Sequence, residues 1–355
     1  MELLIPIPSP GGEDPLRQEI ARTLPGVVLS DPGSGLLAAQ GFPASNSDCP
    51  LVLVFSRQCL PDATPTSASS IRGWANQLVD AAVNAVPPES RWRLHVWPRY
   101  EGTGGDHESK AGRHRCELVT ESVRELMGKR HRELRRRLDP GTTPFGPEDA
   151  LIQLLLTAPD QGFLSVAPPP TPHRRRLLLS PFPAGEIPVA VDKAAPSRAF
   201  SKLVEAEQRL GVRIERGETC VDLGASPGSW SYVALNRGAS VQAVDRSPLR
   251  SDLLANPRMT FQTGDAFQFR PSRRVDWLLC DVIAAPDRSI GLIRRWLSEG
   301  WCRRFVVTIK FRGDSDYPLL DPLKEHLPSV CSDFLMTRLS ANHNEVCVAG
   351  VAAFP

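Results

Sequence analysis

Between residues 219 and 310 the sequence repeats one unit. A short apolar run ends in a charged or polar residue, a small or polar turn follows, and residues at helical spacing come next. Residues 219–223, 240–245, 259–263, 275–281 and 305–310 read as strands, with helices at 228–237, 248–254 and 288–297. Strands separated by helical crossovers pair in parallel, and a parallel sheet is covered by helices on both faces. A helix over 200–210 precedes the series and one over 319–327 follows it. Residues 335–339 and 345–351 have no helix between them and predict an antiparallel hairpin at the sheet edge. The chain is therefore α/β, with a mostly parallel sheet and an antiparallel last strand in its C-terminal part.

The first half differs in texture. Of 34 prolines, 25 fall in residues 1–200, and the composition shift predicts two domains, 1–185 and 186–355. Residues 51–55 and 91–97 read as strands, 71–86 as a helix, 102–112 as a loop, and 116–138 as one helix with a basic end. A further helix is expected at 147–158, then a stiff proline-rich spacer at 168–172. This order suits a small N-terminal α/β region. The net charge of +2 identifies no partner, but residues 129–137 carry six cations against one acid, and 173–176 form a second basic segment. Lys129, Arg130, Arg135, Arg136, Arg174 and Arg175 are thus candidate contacts to nucleic-acid phosphates. Trp92, Trp97 and Tyr100 lie in or beside a strand, where aromatics more often serve the core than stack on bases.

Several classes are excluded by expectation. No run of 18 apolar residues exists, so no membrane-spanning helix is expected. The first nine residues lack the basic and apolar segments of a secretory signal. The eight cysteines form no CxxC pair and no cluster with histidine, so no metal is expected and the thiols read as reduced. A cytoplasmic location follows from these features; the sequence leaves the oligomeric state open, with a monomer as the default expectation.

The most informative segment runs Cys220-Val221-Asp222-Leu223-Gly224-Ala225-Ser226-Pro227-Gly228-Ser229-Trp230. A strand enters a turn of small residues and a helix begins, which lets a ligand approach the backbone and favours anionic groups at the helix start. Asp222 and residues Gly224, Ala225, Ser226, Pro227, Gly228, Ser229 and Trp230 are the candidate cofactor contacts. The spacing is not GxGxxG and the loop has no Walker lysine, which disfavours dinucleotides and nucleoside triphosphates. Asp245 ends the next strand, where an acid accepts ribose hydroxyls. Asp265 follows the third strand, in position for an adenine amino group, and Asp281 ends the fourth. Open α/β sheets bind their ligands at this carboxyl rim.

These residues resemble the Rossmann-like S-adenosylmethionine (SAM)-dependent methyltransferases, and Asp222 to Trp230 resembles the FtsJ/RrmJ and RlmM group of ribosomal RNA ribose 2′-O-methyltransferases. Pro196-Ser197-Arg198 and Trp296-Leu297-Ser298-Glu299-Gly300-Trp301 are similar to RlmM proteins, whereas Phe311-Arg312-Gly313 is closer to FtsJ-type ones. The resemblance implies SAM as cofactor, RNA as substrate (23S rRNA, a cytidine ribose) and a THUMP-like RNA-binding domain in the N-terminal region. It also implies a Lys-Asp-Lys-Glu tetrad, which Lys202, Asp281, Lys310 and Glu345 match in a chain with six lysines among 42 cationic residues. Arg198, close to Lys202, becomes a candidate phosphate contact.

A ribose hydroxyl must lose its proton as it attacks a methyl carbon, and a lysine can take that proton only when neutral, against a free pKa of about 10.4. Lys310 is the expected base and Asp281 its orienting partner, with Lys202 and Glu345 positioning the ribose and tuning charge. Neighbouring acids favour the charged amine. Lys202, the sulfonium of SAM and exclusion of water favour the neutral one. Enzymes that methylate amino groups resemble one another in an Asn/Asp-Pro-Pro-Tyr run, absent from Asp281-Val282-Ile283-Ala284. Cytosine C5 enzymes place a cysteine beyond the strand, whereas Cys280 precedes the acid. The alternatives are a methyltransferase-fold RNA-binding or assembly factor without catalysis, and a methyltransferase for a substrate other than RNA.

Overall fold

The computed structural model describes residues 2–7, 13–42, 52–99, 110–141, 146, 148–169, 178–341 and 344–353. The chain divides into two compact units, Met1–Glu186 and Ile187–Pro355.

The N-terminal unit holds two four-stranded sheets. The first joins β1 (Leu3–Pro6), β2 (Val28–Ser30), β3 (Leu36–Gln40) and β4 (Leu60–Pro61) in the order β2-β3-β1-β4, with α1 (Glu13–Thr23) between β1 and β2. The second comprises β5 (Thr64–Ser67), β6 (Trp92–Pro98), β7 (Ala150–Leu156) and β8 (Gln161–Ala167) in the order β5-β8-β7-β6, with β6 and β7 parallel. Its chain also forms α2 (Ile71–Ala85), α3 (Lys110–Arg130) and α4 (Arg132–Arg136). Trp74 and Leu78 of α2 and Val119, Val123 and Met127 of α3 pack with Trp92, Ile152 and Leu154 of the sheet.

Four expectations for this unit are corrected. The helix expected at 147–158 is the strand β7, whose seven residues are all buried. An almost wholly apolar run, interrupted here only by buried Gln153, fits a strand covered on both faces as well as a buried helix. Residues 52–55 are buried but form no strand; residue 51 lies outside the described residues. The amides of Val54 and Phe55 donate to the carboxylate of buried Glu19 at 3.0 and 3.1 Å, so a side chain takes the place of a ladder partner. The single helix expected at 116–138 breaks at His131, whose φ of −137° is not helical, into α3 and α4. The helix also starts earlier, at Lys110, so residues 110–112 are not loop; 102–109 lie outside the described residues.

The C-terminal unit begins with α5 (Phe200–Leu210). There follow β9 (Thr219–Leu223), α6 (Ser229–Asn236), β10 (Ser240–Asp245), α7 (Ser251–Leu254), β11 (Met259–Thr263), β12 (Val275–Cys280) and α8 (Pro286–Ser298). The unit closes with β13 (Cys302–Lys310), α9 (Asp321–Val330), β14 (Cys331–Thr337) and β15 (Glu345–Ala352). The seven strands run β11-β10-β9-β12-β13-β15-β14. The first five are parallel, while β15 is antiparallel to both β13 and β14. The mostly parallel sheet with an antiparallel end is as the sequence predicts. The chain lays β10 and β11 on one side of β9 and β12 and β13 on the other, so the strand order reverses between β9 and β12. Such a reversal opens a crevice at the carboxyl ends of the two strands.

Candidate active site

Alternation along the strands decides which side chains reach this crevice. Cys220 of β9, Trp277 and Leu279 of β12, Val306 of β13 and Cys347 and Ala349 of β15 share one core with Phe200, Leu203 and Ala206 of α5. Side chains two apart on a strand point the same way. The same face therefore carries Asp222, Asp281, Thr308, Lys310 and Glu345. Lys310 and Glu345 are directly opposed in the β13–β15 register. Cys280 falls on the other face, fully buried, and burial pushes its thiol up to about 12, which fits packing and not nucleophilic attack.

The four tetrad candidates meet. Lys202 Nζ donates to Glu345 Oε1 and Oε2 at 2.8 and 2.9 Å and lies 3.3–3.4 Å from the Asp281 carboxylate oxygens. Lys310 Nζ lies 3.1 Å from Asp281 Oδ1 and donates to the Asp281 main-chain carbonyl at 3.1 Å. Asp281 Oδ1 also accepts the Thr308 hydroxyl at 2.5 Å. One carboxylate thus holds both amines, and buried Thr308 fixes its rotation.

The two amines are not equivalent. Burial works against the Lys202 ammonium, but Asp281 and Glu345 outweigh it and its pKa is raised. Lys202 is a fixed cation and a poor proton acceptor. Lys310 meets one carboxylate among the described residues and is more open, with 23% of its side chain exposed against 9% for Lys202. Buried ion pairs contribute little net stability, because desolvation offsets attraction. A cluster of this kind is better explained by chemistry than by folding.

The cofactor rim lies beside it. Gly224 sits at φ +71°, and a Cβ there would come 2.8 Å from the Val282 Cβ, so only glycine lets the turn lie against the residue after Asp281. Asp245 Oδ2 accepts the Ser226 amide at 3.0 Å and Oδ1 the Ser247 amide at 2.8 Å, which orients the half-buried carboxylate and leaves a lone pair on each oxygen for a diol. A glycine turn, an oriented acid and an uncapped helix start at Gly228 fit the nucleoside and anionic parts of SAM.

Four expected contacts are placed differently. Asp222 is 2% exposed, and its Oδ2 accepts the Ser231 amide at 2.9 Å and hydroxyl at 2.6 Å. It secures the start of α6. Burial, opposed by the Ser231 hydrogen bonds and aided by the charges of Asp281 and Asp245, pushes its carboxyl up to about 7. Trp230 is buried in the core, and its indole donates to the Ala199 carbonyl at 2.8 Å, tying the turn to the start of α5. The hydroxyls of Ser229 and Ser197 meet at 2.7 Å in the same tie. Asp265 is at the rim but engaged: its Oδ1 accepts the Phe267 amide at 2.8 Å and its Oδ2 the Arg246 guanidinium at 2.8 Å. The Phe267 amide and the arginines hold its carboxyl below the usual range. Arg246 and Thr308 were not singled out by sequence, although Arg246 directly follows the acid of β10.

The expected RNA contacts are exposed where they are described. Arg198 is exposed just before α5, and Lys129, Arg130, Arg135 and Arg136 are exposed at the end of α3 and on α4. Arg136 pairs with Glu133 at 2.9 Å. Arg174 and Arg175 lie outside the described residues, as does Tyr100. Trp92 and Trp97 are buried, with the Trp92 indole donating to the Leu134 carbonyl at 2.9 Å, so they serve the core. Among the described residues no group of three His, Cys, Asp or Glu side chains is placed to hold a metal, and no helix is long and apolar enough to cross a membrane.

With this geometry in view, residues 195–295 match the FtsJ-like methyltransferase family. This segment, under a third of the chain, is similar to FtsJ-like methyltransferases. The matched segment contains Lys202 and Asp281, while Lys310 and Glu345 come from the strands beyond it. Ribosomal RNA large subunit methyltransferase M of Alkalilimnicola ehrlichii is 41% identical over 136 residues, 37% of this chain and 38% of that protein. The protein of the same name from Halorhodospira halophila is 42% identical over 132 residues, 36% of this chain and 39% of the relative. The aligned segments thus span under half the length of these relatives. Among solved structures, TrmN from Thermus thermophilus is similar with a TM-score of 0.31 and 16% identity, covering 99% of this chain and 100% of that one.

Proposed function

We propose that this chain is a SAM-dependent RNA ribose 2′-O-methyltransferase that acts on 23S ribosomal RNA in the cytoplasm. The observation that carries the reading is the meeting of two lysines on one carboxylate at the strand-order reversal, beside the glycine turn of an FtsJ-like domain. The names of the curated relatives supply the ribosomal RNA class.

The turn from Gly224 to Gly228 and the carboxylate of Asp245 would hold SAM, which would supply an electrophilic methyl group. The protein's residues supply the rest. Lys310 takes the proton of the ribose hydroxyl. Asp281, rotationally fixed by Thr308, orients the Lys310 amine and stabilises it once it is protonated. Lys202, kept cationic by Glu345, partly neutralises Asp281 and so weakens the hold of that carboxylate on the Lys310 proton. Positioning of the hydroxyl is the other large contribution. Residues 1–185 form an RNA-binding region, THUMP-like in type, with Lys129, Arg130, Arg135, Arg136, Arg174 and Arg175 on phosphates and Arg198 at the mouth of the site.

The test is nucleoside analysis of 23S rRNA incubated with the purified protein and SAM. A 2′-O-methylated nucleoside is the expected product. A base-methylated nucleoside, or none, contradicts the proposal.

A further inference from the structure

We propose that Tyr317 is a positioning residue that closes the open end of the β13–β15 pair and thereby sets Lys310 against Glu345. The inference rests on the reading of the preceding section.

Lys310 and Glu345 are the last opposed residues of that pair. One more backbone bond, from the Phe311 amide to the Asn344 carbonyl at 2.9 Å, extends it. Beyond that bond the chain leaving β13 turns into the 3-10 helix Asp314–Leu320. Tyr317 of this helix is 4% exposed and reaches back to both flanking residues. Its hydroxyl donates to Asn344 Oδ1 at 2.5 Å, and its ring meets the Phe311 ring edge-on with centroids 5.0 Å apart. Tyr317 therefore grips the neighbour of Lys310 through its ring and the neighbour of Glu345 through its hydroxyl. It acts on the tetrad through the backbone.

Strand ends fray, and the last pairs are the first to open. Fraying here would separate the base from the carboxylate that keeps Lys202 charged. Tyr317→Phe removes the hydroxyl bond while keeping the ring and its burial, so it separates this role from simple packing.

The experiment uses the full chain with Tyr317→Phe, Asn344→Ala, both together, and Asn344→Asp, which keeps an acceptor. Single-turnover methyl transfer to 23S rRNA is expected to slow about tenfold in Tyr317→Phe and Asn344→Ala, with KM for SAM and RNA unchanged. The double variant should be no slower than either single one, because both break the same bond. Asn344→Asp should recover the parent rate. In parallel, 13Cε signals of the six lysines are recorded, with Lys202→Arg and Lys310→Arg for assignment. The Lys310 signal should shift in Tyr317→Phe while that of Lys193 stays. Additive losses, or a Lys310 signal and a rate both unchanged, would overturn the proposal. If the parent transfers no methyl group to RNA, the functional reading has failed, and the Lys310 signal alone decides this inference.

Discussion

Cations in the two units stand in opposite surroundings. Lys202 and Lys310 of the C-terminal unit lie in a largely buried cluster around Asp281, with Glu345 closing it. Lys129, Arg130, Arg135 and Arg136 of the N-terminal unit are exposed around α4, and Arg136 pairs with Glu133 through side chains about three-quarters exposed. An exposed pair of that kind contributes about 0–1 kcal/mol and is screened by salt. The buried cluster fixes geometry; under the proposed function the exposed one would gather long-range attraction for a polyanion. Positions of single atoms matter in the first, and the sum of charges matters in the second.

This contrast breaks most sharply at Lys310. Lys310→Ala is expected to slow methyl transfer about 10²–10⁴-fold, the range for a lost general base, with SAM affinity kept; rapid-quench kinetics alongside equilibrium binding checks both. Glu345→Ala takes a partner from a buried cation and should cost about 3 kcal/mol in denaturant unfolding. A loss near zero would mean that Asp281 alone satisfies Lys202.

A smaller, pH-dependent effect belongs to Asp222. Its carboxyl is raised from about 3.9 in an unfolded chain to about 7 in the fold. The folded state then binds more protons, so this group's contribution is fully present below the unfolded value and is lost as pH rises through about 7. Asp222→Asn should gain Tm relative to the parent as pH is raised from 4 to 8. A difference that stays flat or shrinks contradicts the assignment. The smallest effect is expected on the surface. Arg130→Ala should lower RNA affinity a few-fold and reduce the salt slope by about 0.7–0.9, the loss of one phosphate contact, with methyl transfer at saturating RNA unchanged.

The same division governs what could be read from sequence. In the C-terminal unit each of the five parallel strands carries a charged residue at or near its carboxyl end, while β15 opens on Glu345, so the element order, the edge hairpin and the four residues that meet at Asp281 were legible as candidates. Thr308, Arg246 and Tyr317 were not, because their roles depend on register and on turns that bring distant segments together. Trp230 and Asp222 looked like rim residues by position, but burial turns both inward, and a local pattern does not report burial. In the N-terminal unit β7 was misread because six apolar residues around a single buried Gln153 carry no clear period. The bend at Val54 and Phe55 was unreadable because its partner, Glu19, is 35 residues away from Val54.

The most direct test of the central claim, that Lys310 is the base held by Asp281, is the pH dependence of single-turnover methyl transfer in the parent and in Lys310→Arg. The parent rate should climb with pH as the amine loses its proton, and the arginine variant should lose that limb and nearly all activity. An arginine variant that keeps both the rate and the pH profile of the parent would remove Lys310 from the chemistry.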